Sequence, residues 1–267
     1  MSYIAKTDTG SVRKNNEDTV RCEEFGGAVV LAVCDGMGGY IGGAEASTLA
    51  ADAFVAHLEQ FFAEDGTAAG IPRALESACE KGRGAIVDFV SRNLDCEKMG
   101  TTIVSAVVIP SADADFPYTA YFANIGDSRG YLLRAGELMQ VTDDHSVVGE
   151  MLRSGQITRE EAETHPNKNL ITKALSAESQ HLPDIFIVPL MRGDMIMLCS
   201  DGLYNAVSDK EMRDILTRHE QGRENPASVS FFEYEPERLA MKLIGSALLN
   251  IAKDNVSVIL WDSKEKE

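Results

Sequence analysis

Between residues 43 and 92 two stretches with helical spacing follow one another directly. The first places Ala44, Ala51, Phe54, Leu58 and Phe61 on one face over 43–62, and the second does so with Leu75, Ala78, Ile86 and Phe89 over 71–92. Runs rich in Val, Ile, Leu or aromatic residues lie on both sides, at 2–6, 28–34, 102–109, 118–125, 129–134, 184–190, 194–199 and 255–261, and read as strands. No strand separates the two helices. A strictly alternating βαβ chain, with one parallel sheet, is therefore excluded.

Later helices carry start signals. Ser208 with Glu211 and Thr158 with Glu161 fit capping boxes, and Pro236 suits the first turn of a helix bearing Leu239, Leu243, Leu248 and Ile251. A hairpin is expected around Arg134-Ala135-Gly136-Glu137. Residues 142–182 are polar and loop-rich, with short helices at 147–153 and 158–164, the second stopped by His165-Pro166. They read as a flap inserted into one domain spanning 1–262, with a frayed tail at 263–267.

The 267 residues carry 42 acids against 25 lysines and arginines, a net charge of −17. Such a surface repels phosphate backbones and anionic lipid, so neither nucleic acid nor membrane is an expected partner. The five cysteines are odd in number and form no C-x-x-C pair, as expected of reduced thiols. No run approaches the roughly 20 apolar residues of a membrane span, and the start lacks a secretory pattern, so the expected location is the cytoplasm.

The acids occupy unusual places. Ala28-Val-Val-Leu-Ala-Val-Cys-Asp35-Gly36 and Asp194-Met-Ile-Met-Leu-Cys-Ser-Asp201-Gly202 are each an apolar strand, a small residue, then Asp-Gly. Tyr121-Phe-Ala-Asn-Ile-Gly126-Asp127-Ser128 also ends in an acid, and Asp254-Asn255 stands before the last strand. Any one of these is an ordinary turn. Four carboxylates converging at one sheet edge would repel unless a hard cation such as Mg²⁺ or Mn²⁺ neutralised them. None of the five histidines has zinc-protease spacing. In Gly10-Ser-Val-Arg13-Lys-Asn-Asn16-Glu17-Asp18, if the string folds beside those acids, Arg13 offers a guanidinium to a phosphate and Glu17 and Asp18 hold metal-bound waters.

Taken in order, Arg13 with Asn16-Glu17-Asp18, Cys34-Asp35-Gly36-Met37-Gly38-Gly39, Gly100-Thr101-Thr102, Ile125-Gly126-Asp127-Ser128-Arg129, Ser200-Asp201-Gly202-Leu203 and Lys253-Asp254-Asn255 resemble the motifs of the metal-dependent Ser/Thr protein phosphatases, the PPM or type-2C family. The resemblance runs from about residue 3 to 261, and the flap looks like that of bacterial members. It implies an α+β fold, a four-layer αββα sandwich of two mainly antiparallel sheets face to face between helices. It implies two Mn²⁺ or Mg²⁺ ions per chain: Asp35 bridging, the Gly36 carbonyl on one ion, Asp201 and Asp254 on the other, and Glu17 and Asp18 acting through water. Asp127 with Asp201 would hold a third, weaker ion. The implied reaction is attack of a metal-activated water on phosphoserine or phosphothreonine in proteins, with Arg13 on the phosphoryl oxygens and no phosphoenzyme. A Ser/Thr protein kinase is the implied functional counterpart, and a monomer is expected. Met37 stands where some members have a His, which leaves a metal-bound water first and His145 second as proton donor to the leaving group.

Other readings compete. Gly36-Met-Gly38-Gly-Tyr-Ile-Gly42 mimics a dinucleotide fingerprint, but Asp35 would face the pyrophosphate. Gly126-Asp-Ser128 lacks the D-x-x-H of an esterase triad, and no Cys has an Arg six residues on, which removes the Cys-based phosphatases. A catalytically inactive phosphoprotein-binding module would have lost ligand carboxylates. A partner-switching phosphatase acting on one regulator would usually carry sensory domains.

Overall fold

A computed structural model describes residues 2–38, 42–64, 66–221 and 236–263. In chain order the strands are β1 (Ser2–Asp8), β2 (Asp18–Phe25), β3 (Ala28–Met37), β4 (Gly100–Thr101), β5 (Ile103–Pro110), β6 (Tyr118–Ile125), β7 (Arg129–Arg134), β8 (Glu137–Gln140), β9 (Leu175–Ser176), β10 (Asp184–Leu190), β11 (Met195–Cys199) and β12 (Val256–Asp262). The helices are α1 (Gly42–Glu64), α2 (Ile71–Val90), α3 (Val147–Arg153), α4 (Arg159–Glu163), α5 (Asp201–Tyr204), α6 (Asp209–Gln221) and α7 (Pro236–Leu249). One sheet runs β1-β12-β11-β7-β8, and the other runs β10-β6-β5-β3-β4-β9 with β2 added on β3. Every pairing is antiparallel.

The layering follows from alternation along the central strands. On β3, Val29, Leu31 and Val33 turn to the interface between the sheets, where they meet Phe122, Leu198, Ile259 and Trp261. Val30, Ala32 and Cys34 face the other way, onto Phe54, Leu58, Leu75 and Ile86 of α1 and α2. On β12, Ile259 and Trp261 enter the same interface, while Val258 and Leu260 pack on Met212, Leu216, Leu239 and Leu243 of α6 and α7. Both faces of these strands are covered, which is why they read as unbroken apolar runs rather than alternating ones. The result is the four-layer αββα sandwich that the resemblance implied.

β2 is absent from the sequence expectation. It pairs with β3 from Asp18↔Asp35 to Phe25↔Ala28 through Gly26-Gly27, with φ of +59° and +86°. Two positive φ values in a two-residue loop make a hairpin turn suited to glycine. The Gly-Gly pair was thus the available signal. The strand itself, Asp-Thr-Val-Arg-Cys-Glu-Glu-Phe, is half-exposed and charged. The hairpin expected at 134–137 is present, with Arg134 opposite Glu137. Helices α3 and α4 coincide with the short helices expected in the flap, and Thr158 with Glu161 forms the capping box. Of the tail expected at 263–267, all but Ser263 lies outside the described residues, as does Gly39 of the Asp35 motif.

Candidate active site

Register brings the acids together. Asp18 opens β2 opposite Asp35 near the end of β3. Asp201 follows the end of β11, whose last residue Cys199 faces Val258 just beyond the start of β12 and Arg129 at the start of β7. Asp254 and Asp127 stand just ahead of β12 and β7, with Asn255 and Ser128 between them and the strands. Five aspartates from both sheets thereby gather at one end of the sandwich.

Small hydroxyl groups hold them. Asp18 is 9% exposed, and its Oδ2 accepts from Ser200 Oγ at 2.7 Å and Ser257 Oγ at 2.6 Å, while Oδ1 is buried without a partner. The Asp35 backbone is fixed on both sides: its N–H donates to Thr102 Oγ1 at 3.0 Å, and its carbonyl accepts from Thr101 Oγ1 and the Thr102 N–H, each at 2.9 Å. Asp201 Oδ2 accepts from Asn205 Nδ2 at 3.1 Å, and its Oδ1 is a second buried oxygen without a partner.

The Arg13 loop is tied down by Asn255. Its Nδ2 donates to the Thr9 and Asn15 carbonyls, both at 2.9 Å, and its Oδ1 accepts the Glu17 N–H at 2.8 Å. Arg13 Nη2 then donates to Asp254 Oδ2 at 2.8 Å from the exposed rim. Glu17 lies against the first turn of α1, where a Cβ on Gly43 would stand 2.3 Å from its Oε2 and one on Gly36 would stand 2.1 Å from the Gly43 carbonyl. Glycine at both positions lets the helix, Glu17 and the end of β3 meet.

The cost of this gathering appears in the proton affinities. Burial, then the charges of Asp18, Asp201, Asp127 and Asp254, push Asp35 well above the carboxylate range. Burial, Asp127 and Asp254 raise Asp201 to about 8. Asp18 rises to about 6, mainly by burial, and Asp127 to about 6 by burial and Asp144. Carboxylates that must shed either charge or solvent want a cation. The donors are all oxygens, and Asp18 Oδ1 and Asp201 Oδ1 are buried without a hydrogen-bond partner, so hard divalent ions fit the set. Among the described residues no group of three His, Cys, Asp or Glu side chains could hold a metal by itself. Backbone oxygens and water must complete any shell.

Several residues fall elsewhere. His145 is 2% exposed, its Nδ1 accepts the Gly126 N–H at 3.1 Å, and its Nε2 lies 3.0 Å from Asp184 Oδ2 and 3.1 Å from Lys173 Nζ. With both ring nitrogens engaged inside the protein, it has none to offer a leaving group, which corrects its place as second donor. Arg129 is bound by Asp144 at 2.7 Å and lies 3.6 Å over the Tyr204 ring, a structural pairing rather than a phosphate clamp. Sequence reasoning gave no part to Ser200, Ser257 or Asn255, which sit next to or near the motif acids and orient them.

A cluster of buried carboxylates at one end of an αββα sandwich, with an arginine on its rim, is the arrangement expected of a hydrolase that works with hard divalent cations. Comparison with known proteins narrows it. A family model described as protein phosphatase 2C matches residues 10–232. The serine/threonine phosphatase stp of Listeria welshimeri is 38% identical over 216 residues, covering 79% of this chain and 81% of that protein. PstP of Mycobacterium tuberculosis is 36% identical over 98% of this chain, which spans 45% of that longer protein. The crystal structure of the M. tuberculosis phosphatase PstP/Ppp superposes with a TM-score of 0.81 at 35% identity, covering 99% of both chains. The PstP catalytic domain solved with two manganese ions gives 0.76 at 33% identity, over 97% of this chain and 96% of that one. The chain belongs to the protein phosphatase 2C family.

Proposed function

We propose that this chain is a serine/threonine protein phosphatase whose substrates are phosphoproteins and whose centre is the aspartate cluster. The observation that carries the reading is the gathering of five aspartates, two with buried partnerless oxygens, beside Arg13. Asp35, the Gly36 carbonyl, Asp201 and Asp254 would hold two divalent cations, with Glu17 and Asp18 acting through water; Asp127 with Asp201 would take a third. Bound there, the ions would supply Lewis acidity and a water activated near neutral pH. The rest belongs to the side chains. Arg13, on a loop pinned by Asn255, binds the phosphoryl oxygens and orients phosphorus toward the acids. Thr101 and Thr102 keep Asp35 aimed at the site, and Ser200 with Ser257 fixes Asp18. Both ring nitrogens of His145 are engaged within the protein, so water is the proton donor to the leaving oxygen.

Mn²⁺ accompanies PstP, a relative of this chain, and Mg²⁺ suits the same oxygen donors; we infer that either serves. The working unit is one domain over 1–262 with 142–182 as its flap, monomeric and cytoplasmic, opposing a Ser/Thr protein kinase in signalling. Among the described residues no helix is long and apolar enough to cross a membrane. The inactive-module alternative is disfavoured, because every acid whose loss would mark it is present. The test is phosphate release from a phosphothreonine peptide with Mn²⁺, with Mg²⁺ and with EDTA. Release with metal and none with EDTA is expected; no release from folded protein with either ion would overturn the reading.

A further inference from the structure

A groove of about 850 Å³ opens beside the aspartates, between α3 and α4 of the flap and the junction of α5 with α6. Two lining residues join it to the site: Asn205 donates to Asp201 Oδ2, and the Tyr204 hydroxyl donates to the Asp127 carbonyl, both at 3.1 Å. A substrate chain with its phosphate between Arg13 and the acids has this groove as a neighbouring channel.

The groove reverses the charge of the molecule. The whole chain has 42 acids against 25 lysines and arginines, yet the groove sets Arg129, Arg153, Arg159, Lys168 and Lys210 against Asp143, Asp144 and Asp209. Arg129 is consumed by Asp144. The remaining cations are not. Arg153 gives one N–H to the Asp144 carbonyl at 2.7 Å. Arg159 stands 3.8 Å from Asp209 with its side chain 72% exposed, and Lys210 stands 4.0 Å from Asp214 with 80% exposed. Contacts that long between exposed groups hold the partners weakly. Arg159 is nonetheless well placed, because it follows the Thr158 N-cap of α4, whose capping box fixes the start of that helix.

On a chain that repels anions at large, a cationic groove joined to the aspartates through Asn205 and Tyr204 selects ligands by charge. We propose that the groove is a subsite for an anionic side chain, carboxylate or second phosphate, flanking the phosphorylated residue, and that Arg159 and Lys168 read it. The proposal rests on the phosphatase reading above and names the substrate class that reading leaves open.

The test uses the full chain with Mn²⁺ and four phosphothreonine peptides that differ only in flanking residues: aspartate, a second phosphothreonine, serine or lysine. p-Nitrophenyl phosphate, too small to reach the groove, is the control. At low salt kcat/KM should be about fivefold higher for the two anionic peptides than for the serine peptide, and lowest for lysine. The preference should shrink to under about twofold in an Arg159→Ala/Lys168→Ala double variant and in about 0.5 M NaCl, with p-nitrophenyl phosphate turnover unchanged. Equal rates on all four peptides, or a preference that survives the double substitution, would overturn the subsite while leaving the phosphatase standing. A gain confined to the doubly phosphorylated peptide would restrict the ligand to phosphate. Anisotropy of the labelled peptides needs no turnover. If neither p-nitrophenyl phosphate nor any of the peptides is hydrolysed, the phosphatase reading fails, and loss of the anionic preference in peptide binding by the double variant still decides the groove.

Discussion

Asp201 and Asp194 are seven residues apart in one motif-bearing segment, at opposite ends of the same strand, and they live in opposite regimes. Asp194 is 2% exposed, yet its carboxylate receives Arg134 Nε at 3.1 Å and Nη2 at 2.6 Å, together with the Met191 N–H at 2.8 Å. Asp144 is matched in the same way by Arg129. At the other end of β11, Asp201 has one amide donor, a buried oxygen with no partner and the charges of three carboxylates, Asp127, Asp254 and Asp18, pressing on it. The first arrangement is complete within the chain, and the second is complete only with something added. A buried acid that has its arginine holds the fold; a buried acid among other acids marks a place where the fold is held in reserve for a ligand.

The sharpest way to break this contrast is to neutralise one member of each regime. Asp201→Asn should lower turnover by about a thousandfold, as loss of a transition-state contact does, while far-UV circular dichroism stays that of the wild type. In EDTA at pH 8 the variant should melt no lower than the wild type, because one repelling charge has gone. Retained turnover would remove Asp201 from the centre. The metal-free wild type should itself become less stable as pH rises. Asp201, Asp18 and Asp127 bind protons more tightly folded than unfolded, so stability is greatest below the unfolded carboxylate range near pH 4 and is lost as pH climbs to about 8. Melting in EDTA across that range should show the fall, and saturating Mn²⁺ should flatten it, since the ion replaces the protons. A metal-free melting temperature that rises toward pH 8 would contradict the clustering. Asp194→Asn should do the reverse of Asp201→Asn: a loss of about 2 kcal/mol in urea unfolding, discounted because Arg134 is partly exposed, with kcat/KM unchanged for the protein that remains folded.

The contrast also shows where sequence reasoning reaches. The central strands were legible because β3 and β12 are covered on both faces, which leaves long apolar runs with their acids at the ends. β2 was not, because only part of it is covered and its charged residues hide the alternation; what marks it is the Gly26-Gly27 turn. At the site, the acids announced themselves by position, since an Asp ending an apolar strand is local information. Their supports did not. Ser200 and Ser257 meet Asp18 across 182 and 239 residues of sequence, and Asn255 reaches Glu17 across 238. Such partners are set by the register between sheets, and nothing near them in the chain distinguishes them from other Ser and Asn residues. His145 erred the opposite way: a histidine beside acids in a flap motif looked available, and burial with both nitrogens engaged took it out of the chemistry.

Arg13 stands between the regimes and gives the smallest effect. It is paired with Asp254, but half-exposed at the rim, so the pair is worth little to stability. Burial lowers its proton affinity, but Asp254 more than offsets this, and the guanidinium stays charged. Asp254 therefore has two suitors, Arg13 and a cation, and a phosphate arriving at the site gives Arg13 a second anion to bind. Arg13→Ala should raise KM for a phosphothreonine peptide about tenfold with kcat little changed, if the arginine binds phosphate in the ground state. The same variant should bind Mn²⁺ in calorimetry at least as tightly as the wild type, since the positive charge competing for Asp254 is gone. A fall in kcat as large as the rise in KM would move Arg13 to the transition state, and weaker Mn²⁺ binding would show that it supports Asp254 rather than competing for it.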